Sequence, residues 1–305
     1  ALAPQGGNSV FDVQTVAAGE AGDARVEAFD ILALVDAAEV GRAKAELFQA
    51  ATRLALETKT HKRLAGLGTV VHDALVREHL GSELIGHISR DSTSLAGREK
   101  PAQKVKVAKV AKKRGRPAKG EVRPLKRLDR QRLQTAEDGL AELPKACDRG
   151  VKKNAKGYAE TWHGYKLHLD VNDCGLPISA VLTSASVHDS QVAIPLMKLS
   201  AAKVTSCYDL MDAAYDASQI WEQSKALGHV PVIDRNPRSQ KIVPMAPHEA
   251  ARYTERTSAE RCNGRFKDEF GGRSVQVRGP DKVMMHAMFG IVTLFADQLL
   301  KVTGC

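Results

Sequence analysis

Tyr165-Lys166-Leu167-His168-Leu169-Asp170-Val171-Asn172-Asp173-Cys174-Gly175-Leu176-Pro177-Ile178-Ser179-Ala180-Val181-Leu182 is the stretch that decides the fold. Apolar residues recur at every second position on both sides of Asn172–Gly175, the period of a strand with one buried face. Asn-Asp-Cys-Gly supplies turn chemistry between them, so the stretch reads as a β-hairpin. Upstream, Leu84, Ile85 and Ile88 lead into Ser89-Arg90-Asp91-Ser92-Thr93, read as a strand that ends at Asp91 before a turn. Downstream, the pattern predicts a helix over Asp189–Leu199, a strand over Val204–Asp212, a helix over Ser218–Leu227 and a strand over Val230–Ile233. Helices are then expected over His248–Glu269 and Asp281–Val302. Three early antiparallel strands followed by alternating strands and helices predict an α/β fold, a mixed sheet flanked by helices.

Around that core, residues 1–22 are Gly- and Ala-rich and give no pattern. Residues 23–80 have helical periodicity and read as a small helical domain that packs and has some part in binding DNA ends. The catalytic-looking remainder is 81–305, with a basic insertion at about 96–156. The chain of 305 residues carries 45 Lys and Arg against 36 Asp and Glu. Lys100 to Gly120 contains nine Lys or Arg and no acid; outside it the charges balance. The whole excess therefore sits in one segment, which points to a polyanion partner engaged there. Within it Lys112-Lys113-Arg114-Gly115-Arg116-Pro117 places Arg-Gly-Arg where an extended chain can enter a narrow minor groove. It resembles an AT-hook; the alternative is a solvated charged loop.

Five cysteines stand singly, with no CxxC pair, so neither a zinc site nor a disulfide framework is expected. The chain starts Ala-Leu-Ala-Pro, with no charged segment leading an apolar one. No signal peptide is expected, and the missing Met suggests an absent natural start. The most apolar window, Val283–Ala296, is short for a bilayer and reads as a core helix, its methionines included.

The chemistry concentrates near the C-terminal end. Tyr253, Arg256, Glu260 and Lys267 follow the spacing Y-(2)-R-(3)-E-(6)-K. At ~100° per residue they fall within ~60° of one continuous helix, a stripe of one carboxylate, two cations and a phenol. A core-facing stripe would be apolar. Arg256 and Glu260 alone would also suit an ordinary surface ion pair. Asp91 and Asp212, each at the end of a strand, add two carboxylates that could converge with Glu260. Three hard oxygen donors of this kind suit Mg²⁺ or Mn²⁺, and two such ions ~4 Å apart serve phosphoryl transfer. Asp209 is the rival to Asp212, three residues earlier and pointing to the opposite face.

These residues resemble the DDE transposases of bacterial insertion sequences, which have an RNase H-like core. The resemblance covers roughly Glu78 to Leu300 and rests on Gly86-His87-Ile88-Ser89-Arg90-Asp91-Ser92-Thr93, Trp162–His168, Val187-His188-Asp189-Ser190, Asp212-Ala213-Ala214-Tyr215-Asp216 and Glu260-Arg261-Cys262-Asn263-Gly264-Arg265-Phe266-Lys267. Ala213-Ala214 departs from a Gly often found there. The resemblance implies cutting of element ends at inverted repeats and joining of the freed 3′ ends to target DNA. It implies that Asp91, Asp212 and Glu260 hold two Mg²⁺ or Mn²⁺ ions, and that Tyr253, Arg256 and Lys267 contact DNA phosphates. A homodimer in the synaptic complex, a location in the bacterial cytoplasm at the nucleoid, and no membrane are implied as well. Lys112, Lys113, Arg114 and Arg116 would add DNA contacts. Competing readings are a decayed or architectural DNA-binding protein and a nuclease without strand joining. Asp189 is expected to cap a helix, Trp162 to pack in the hairpin, and His163 and His168 to be no metal ligands.

Overall fold

The structure is a computed structural model that describes residues 66–103, 124–153, 156–236 and 244–303. Residues 1–22, most of the expected helical domain at 23–80, and Lys112, Lys113, Arg114 and Arg116 lie outside the described residues.

Six strands form one sheet among the described residues. β1 (Leu84–Ala96) is central. On one side it pairs antiparallel with β3 (Ala159–Asn172), which pairs antiparallel with β4 (Pro177–Ser184). On the other side it pairs parallel with β5 (Thr205–Met211), which pairs parallel with β6 (Val230–Ile233). A further strand, β2 (Asp148–Lys153), runs antiparallel to the start of β3. The hairpin is β3–β4, and Gly175 takes φ 79° at its turn, a conformation open chiefly to glycine.

Helices cover both faces. α1 (Leu67–Leu80) lies along α8 (Pro280–Thr303), closely enough that a Cβ on Gly68 would come 2.8 Å from Met288 Cβ. α2 (Arg127–Leu133) and α3 (Ala136–Ala141) follow β1. α4 (Ser190–Ala201) follows β4, and α5 (Ser218–Ala226) joins β5 to β6. α6 (Pro247–Tyr253) and α7 (Thr257–Asp268) precede α8. Leu95, Leu167, Leu169 and Val171 of the sheet pack on Ala259, Cys262 and Phe266 of α7 and on Val283, Met288 and Ile291 of α8. The opposite face packs Met211, Tyr215 and Ile233 against α4 and α5. The two faces close an α/β mixed sheet flanked by helices, as the alternation of elements predicts. By length and composition α8 is apolar enough to cross a membrane. Its Val283, Met285, Met288, Ile291 and Phe295 are instead buried in the core.

Three expectations change. Asp91 does not end its strand: β1 continues through the polar Ser92-Thr93-Ser94 to Ala96, still paired with β3 as far as Gly164. What ends near Asp91 is the parallel pairing with β5, last at Ser89 with Leu210. Second, the segment after the basic stretch contains α2, α3 and β2. Third, the helix expected over His248–Glu269 is broken by a tight 3₁₀ turn at Thr254–Arg256. There Thr254 Oγ1 donates to the Ala251 carbonyl and Thr257 Oγ1 to the Thr254 carbonyl. Such hydroxyl bonds compete with the regular ladder.

Candidate active site

The β1–β5 register explains how two carboxylates meet. His87 pairs with Tyr208 and Ser89 with Leu210. Continued by two residues, the same register sets Asp91 beside Asp212, on strands ~4.8 Å apart. Asp212 follows the last residue of β5, and its Oδ1 accepts from the Ala214 amide at 2.9 Å, capping the 3₁₀ turn Ala213–Tyr215. The local sequence thus ends the strand where the aspartate stands.

Both carboxyls are pushed above the usual range. Asp91 rises to about 6, chiefly through burial, with the negative charge of Asp212 adding to it. The Ser92 amide and Arg256 act in the other direction. Asp212 is raised first by burial and then by Asp189. Asn263 Nδ2, one turn beyond Glu260 on α7, donates to Asp91 Oδ2 at 3.0 Å.

Arg256 is the cation of this cluster. Its guanidinium reaches Glu260 Oε1 at 2.5 Å and lies 5.6 Å from the centre of the Tyr253 ring. Burial acts against its charge, and the fields of Tyr253, Glu260, Asp91 and Asp212 outweigh that. Burial raises Tyr253. Glu260 itself is about half exposed (52%). Among the described residues no three His, Cys, Asp or Glu side chains are gathered closely enough to hold a metal. The structure therefore brings Asp91 and Asp212 within electrostatic reach of each other and of Arg256, and pairs Glu260 with Arg256. Lys267 stands two turns further along α7, with Nζ 3.4 Å from Ser94 Oγ. Burial, then Lys152 and Arg273, lower it.

Asp209 does belong to the other face. Fully buried, it accepts from Ser224 Oγ at 2.6 Å and lies 2.9 Å from His229 Nδ1. Arg90, also fully buried, bonds Asp170 at 2.6 Å and stands 3.7 Å from Asp209. This buried ionic cluster ties β1, β3 and β5 together directly beneath Asp91.

Asp189 is not a helix cap. It occupies the position before α4, but its side chain makes no cap bond. It accepts instead from Lys166 Nζ at 2.8 Å and from the Ser92 hydroxyl. Burial acts to raise it, and His168 and Lys166 outweigh that and hold it below the usual range. Burial drives His168 down to about 4, so Lys166 is the operating cation at neutral pH. Asp189, Asp91 and Asp212 all act on the Tyr215 hydroxyl, which is buried without a hydrogen-bond partner among the described residues. His163 is exposed and His168 bonds Thr183, so neither joins a ligand cluster. Trp162 packs on Gly150 of β2 rather than within the sheet core.

Sequence reasoning missed Asn263 and the part played by Asp189. Asn263 could have been found: it lies three residues after Glu260, on the same helix face. Asp189 sits in a His-Asp dipeptide with no distinguishing pattern.

The donor set fits a divalent cation in part. Two carboxylates, raised by burial and by neighbouring aspartates, sit beside a buried hydroxyl with no partner among the described residues, as a site relieved by an added positive charge would. Among known proteins, a family model described as the transposase DDE domain matches residues 85–295. No curated protein matches the chain, and no solved structure does.

Proposed function

The chain belongs to the transposase DDE domain family, and from that we propose that it cuts DNA at the inverted-repeat ends of an insertion sequence and joins the freed 3′ ends to target DNA. The observation that carries this reading is the common register of Asp91 and Asp212, under the charge of Arg256. Asp91, Asp212 and Glu260 are the residues that would hold two Mg²⁺ or Mn²⁺ ions. When bound, these supply Lewis-acid activation of water or a 3′-OH and stabilise the leaving oxygen.

The chain's own residues do the rest. Asn263 fixes the Asp91 carboxylate through its Oδ2. Arg256 and Tyr253 would hold a phosphate near the cut, and Lys267 a neighbouring one, by charge-assisted contacts that carry no sequence information. The segment with Lys112, Lys113, Arg114 and Arg116 would add contacts along the duplex, and two copies of the chain would pair the two ends. The work belongs in the bacterial cytoplasm, at the nucleoid.

The position of Glu260 favours a second reading. Its carboxylate is taken by Arg256, as it would be in a decayed or architectural copy that binds DNA without cutting. The test is incubation of the chain with Mg²⁺, a labelled duplex carrying the element's ends, and a target plasmid. Joined products support the first reading, free cut ends alone a nuclease without joining, and bound but intact duplex the second reading.

A further inference from the structure

β3 is longer than the sheet it belongs to. Its second half, Gly164–Asn172, is paired with β1, and β4 reaches only to Tyr165. Ala159–His163 has β2 as its partner, so Asp148–Lys153 and Ala159–Gly164 form a two-stranded ribbon that overhangs the end of β1. Isolated two-stranded ribbons are marginal in water. This one is stapled by Trp162, which lies against its cross-strand partner Gly150, where a Cβ would come 2.4 Å from the ring, and donates from Nε1 to the Tyr165 carbonyl at 3.2 Å.

The two faces of the ribbon differ. Residues directly opposite share a face. One face carries Trp162, Gly150, and the pair Lys152–Glu160 at 3.6 Å. The other carries Arg149 opposite His163 and Val151 opposite Thr161. All four are exposed, Val151 at 58%, and none is acidic. The side chains of Arg149 and His163 make no hydrogen bond or ion pair to any described residue. Among the described residues no core element covers this face, which carries an arginine and a valine in water. Its distance from the carboxylates is set by the strand. Gly164 is five residues from Leu169, the partner of Asp91, and Ala159 is ten. That places the ribbon from ~17 to ~34 Å along β3 from Asp91, about half a turn to one turn of duplex DNA.

We propose that the Arg149–Val151–Thr161–His163 face of this ribbon is a second DNA-contacting surface, seated in the major groove of the duplex between half a turn and one turn from the cut. A two-stranded ribbon matches that groove in width. Arg149 supplies a phosphate or guanine contact, Thr161 a hydroxyl, and Val151 an apolar contact of the kind a thymine methyl accepts. The proposal rests on the DNA-cutting reading above and deepens it.

The test measures duplex affinity by fluorescence anisotropy, in EDTA, with the full chain and a mixed-sequence duplex of about three turns. Salt is varied from about 50 to about 200 mM. Arg149→Ala is expected to lower the log–log salt slope by ~0.9, the value of one neutralised phosphate, and Thr161→Glu to weaken binding further. Lys152→Ala, on the opposite face, is the control and leaves the slope where it was. An unchanged slope in Arg149→Ala, or an equal fall in Lys152→Ala, overturns the ribbon surface while leaving the DNA-cutting reading intact. Failure of the unaltered chain to bind any duplex overturns both.

Discussion

Asp91, within β1, and Asp212, just past the end of β5, each lie two residues beyond the last pair of the parallel ladder, Ser89 and Leu210. The parallel pairing ends just before them and a 3₁₀ turn follows Asp212, so the two carboxylates lie at the end of the β1–β5 ladder. That is where ligands bind in sheets of this kind. Burial, with a neighbouring aspartate in each case, raises both acids although each has a hydrogen-bond donor.

The first prediction concerns pH. Folding raises Asp91 from its ordinary value near 4 to about 6. The folded state thus binds the proton more tightly than the unfolded one. The contribution of Asp91 favours folding at low pH and is lost as pH rises through about 6. Asp91→Asn removes the buried charge. In EDTA it is expected to be more stable than the unaltered chain at pH 8, by on the order of 2 kcal/mol, and the gap should shrink toward pH 5. Thermal unfolding at both pH values checks this, and a gap independent of pH contradicts it.

Asn263→Ala takes the donor from Asp91 Oδ2 without touching a proposed ligand. Loss of such a supporting bond typically costs ~10–100-fold in metal affinity or activity. Mn²⁺ titration followed by electron paramagnetic resonance should show weaker binding. Asn263→Asp, which adds a like charge beside Asp91, should lower the cutting rate further. Unaltered Mn²⁺ affinity in Asn263→Ala would remove Asn263 from the site.

Arg90→Met leaves the buried carboxylates of Asp170 and Asp209 without their cation. It is expected to destabilise by ~3–5 kcal/mol, read as a lower urea midpoint. Little or no loss would mean that the cluster is not what holds β1 against β5.

Much of the fold was legible because burial on one face imposes a period. The β3–β4 hairpin, β6 at Val230–Ile233 and the helix before β5 all follow from apolar spacing. β2 was not legible, for a physical reason: Asp-Arg-Gly-Val-Lys-Lys lies in an exposed ribbon, where no face needs apolar residues. The run Ser92-Thr93-Ser94 reads as a turn because its side chains are polar, yet its backbone stays paired with β3. The break at Thr254–Arg256 depends on two threonine hydroxyls that helix periodicity does not register. Of the candidate site, the charged members were readable from spacing. Asn263 carries no charge, and Asp189 looked like a cap, so both emerged only from side-chain contacts.

Replacing Arg114 and Arg116 by Ala should weaken duplex binding and lower its salt slope by ~0.9 for each phosphate that is no longer neutralised. A slope equal to that of the unaltered chain would make the basic segment a bystander.

The most direct measurement compares metal-dependent cutting by Asp212→Asn and Asp209→Asn, using labelled DNA with the element's own flanking ends, in Mg²⁺ or Mn²⁺ against EDTA. The expected result is that the unaltered chain yields 3′-OH ends only with metal. Asp212→Asn should yield none while still binding the duplex, as should Glu260→Gln. Asp209→Asn should lose stability but cut in proportion to its folded fraction. Cutting by Asp212→Asn, or cutting that persists in EDTA, would contradict the assignment of Asp91 and Asp212 as the centre of the site.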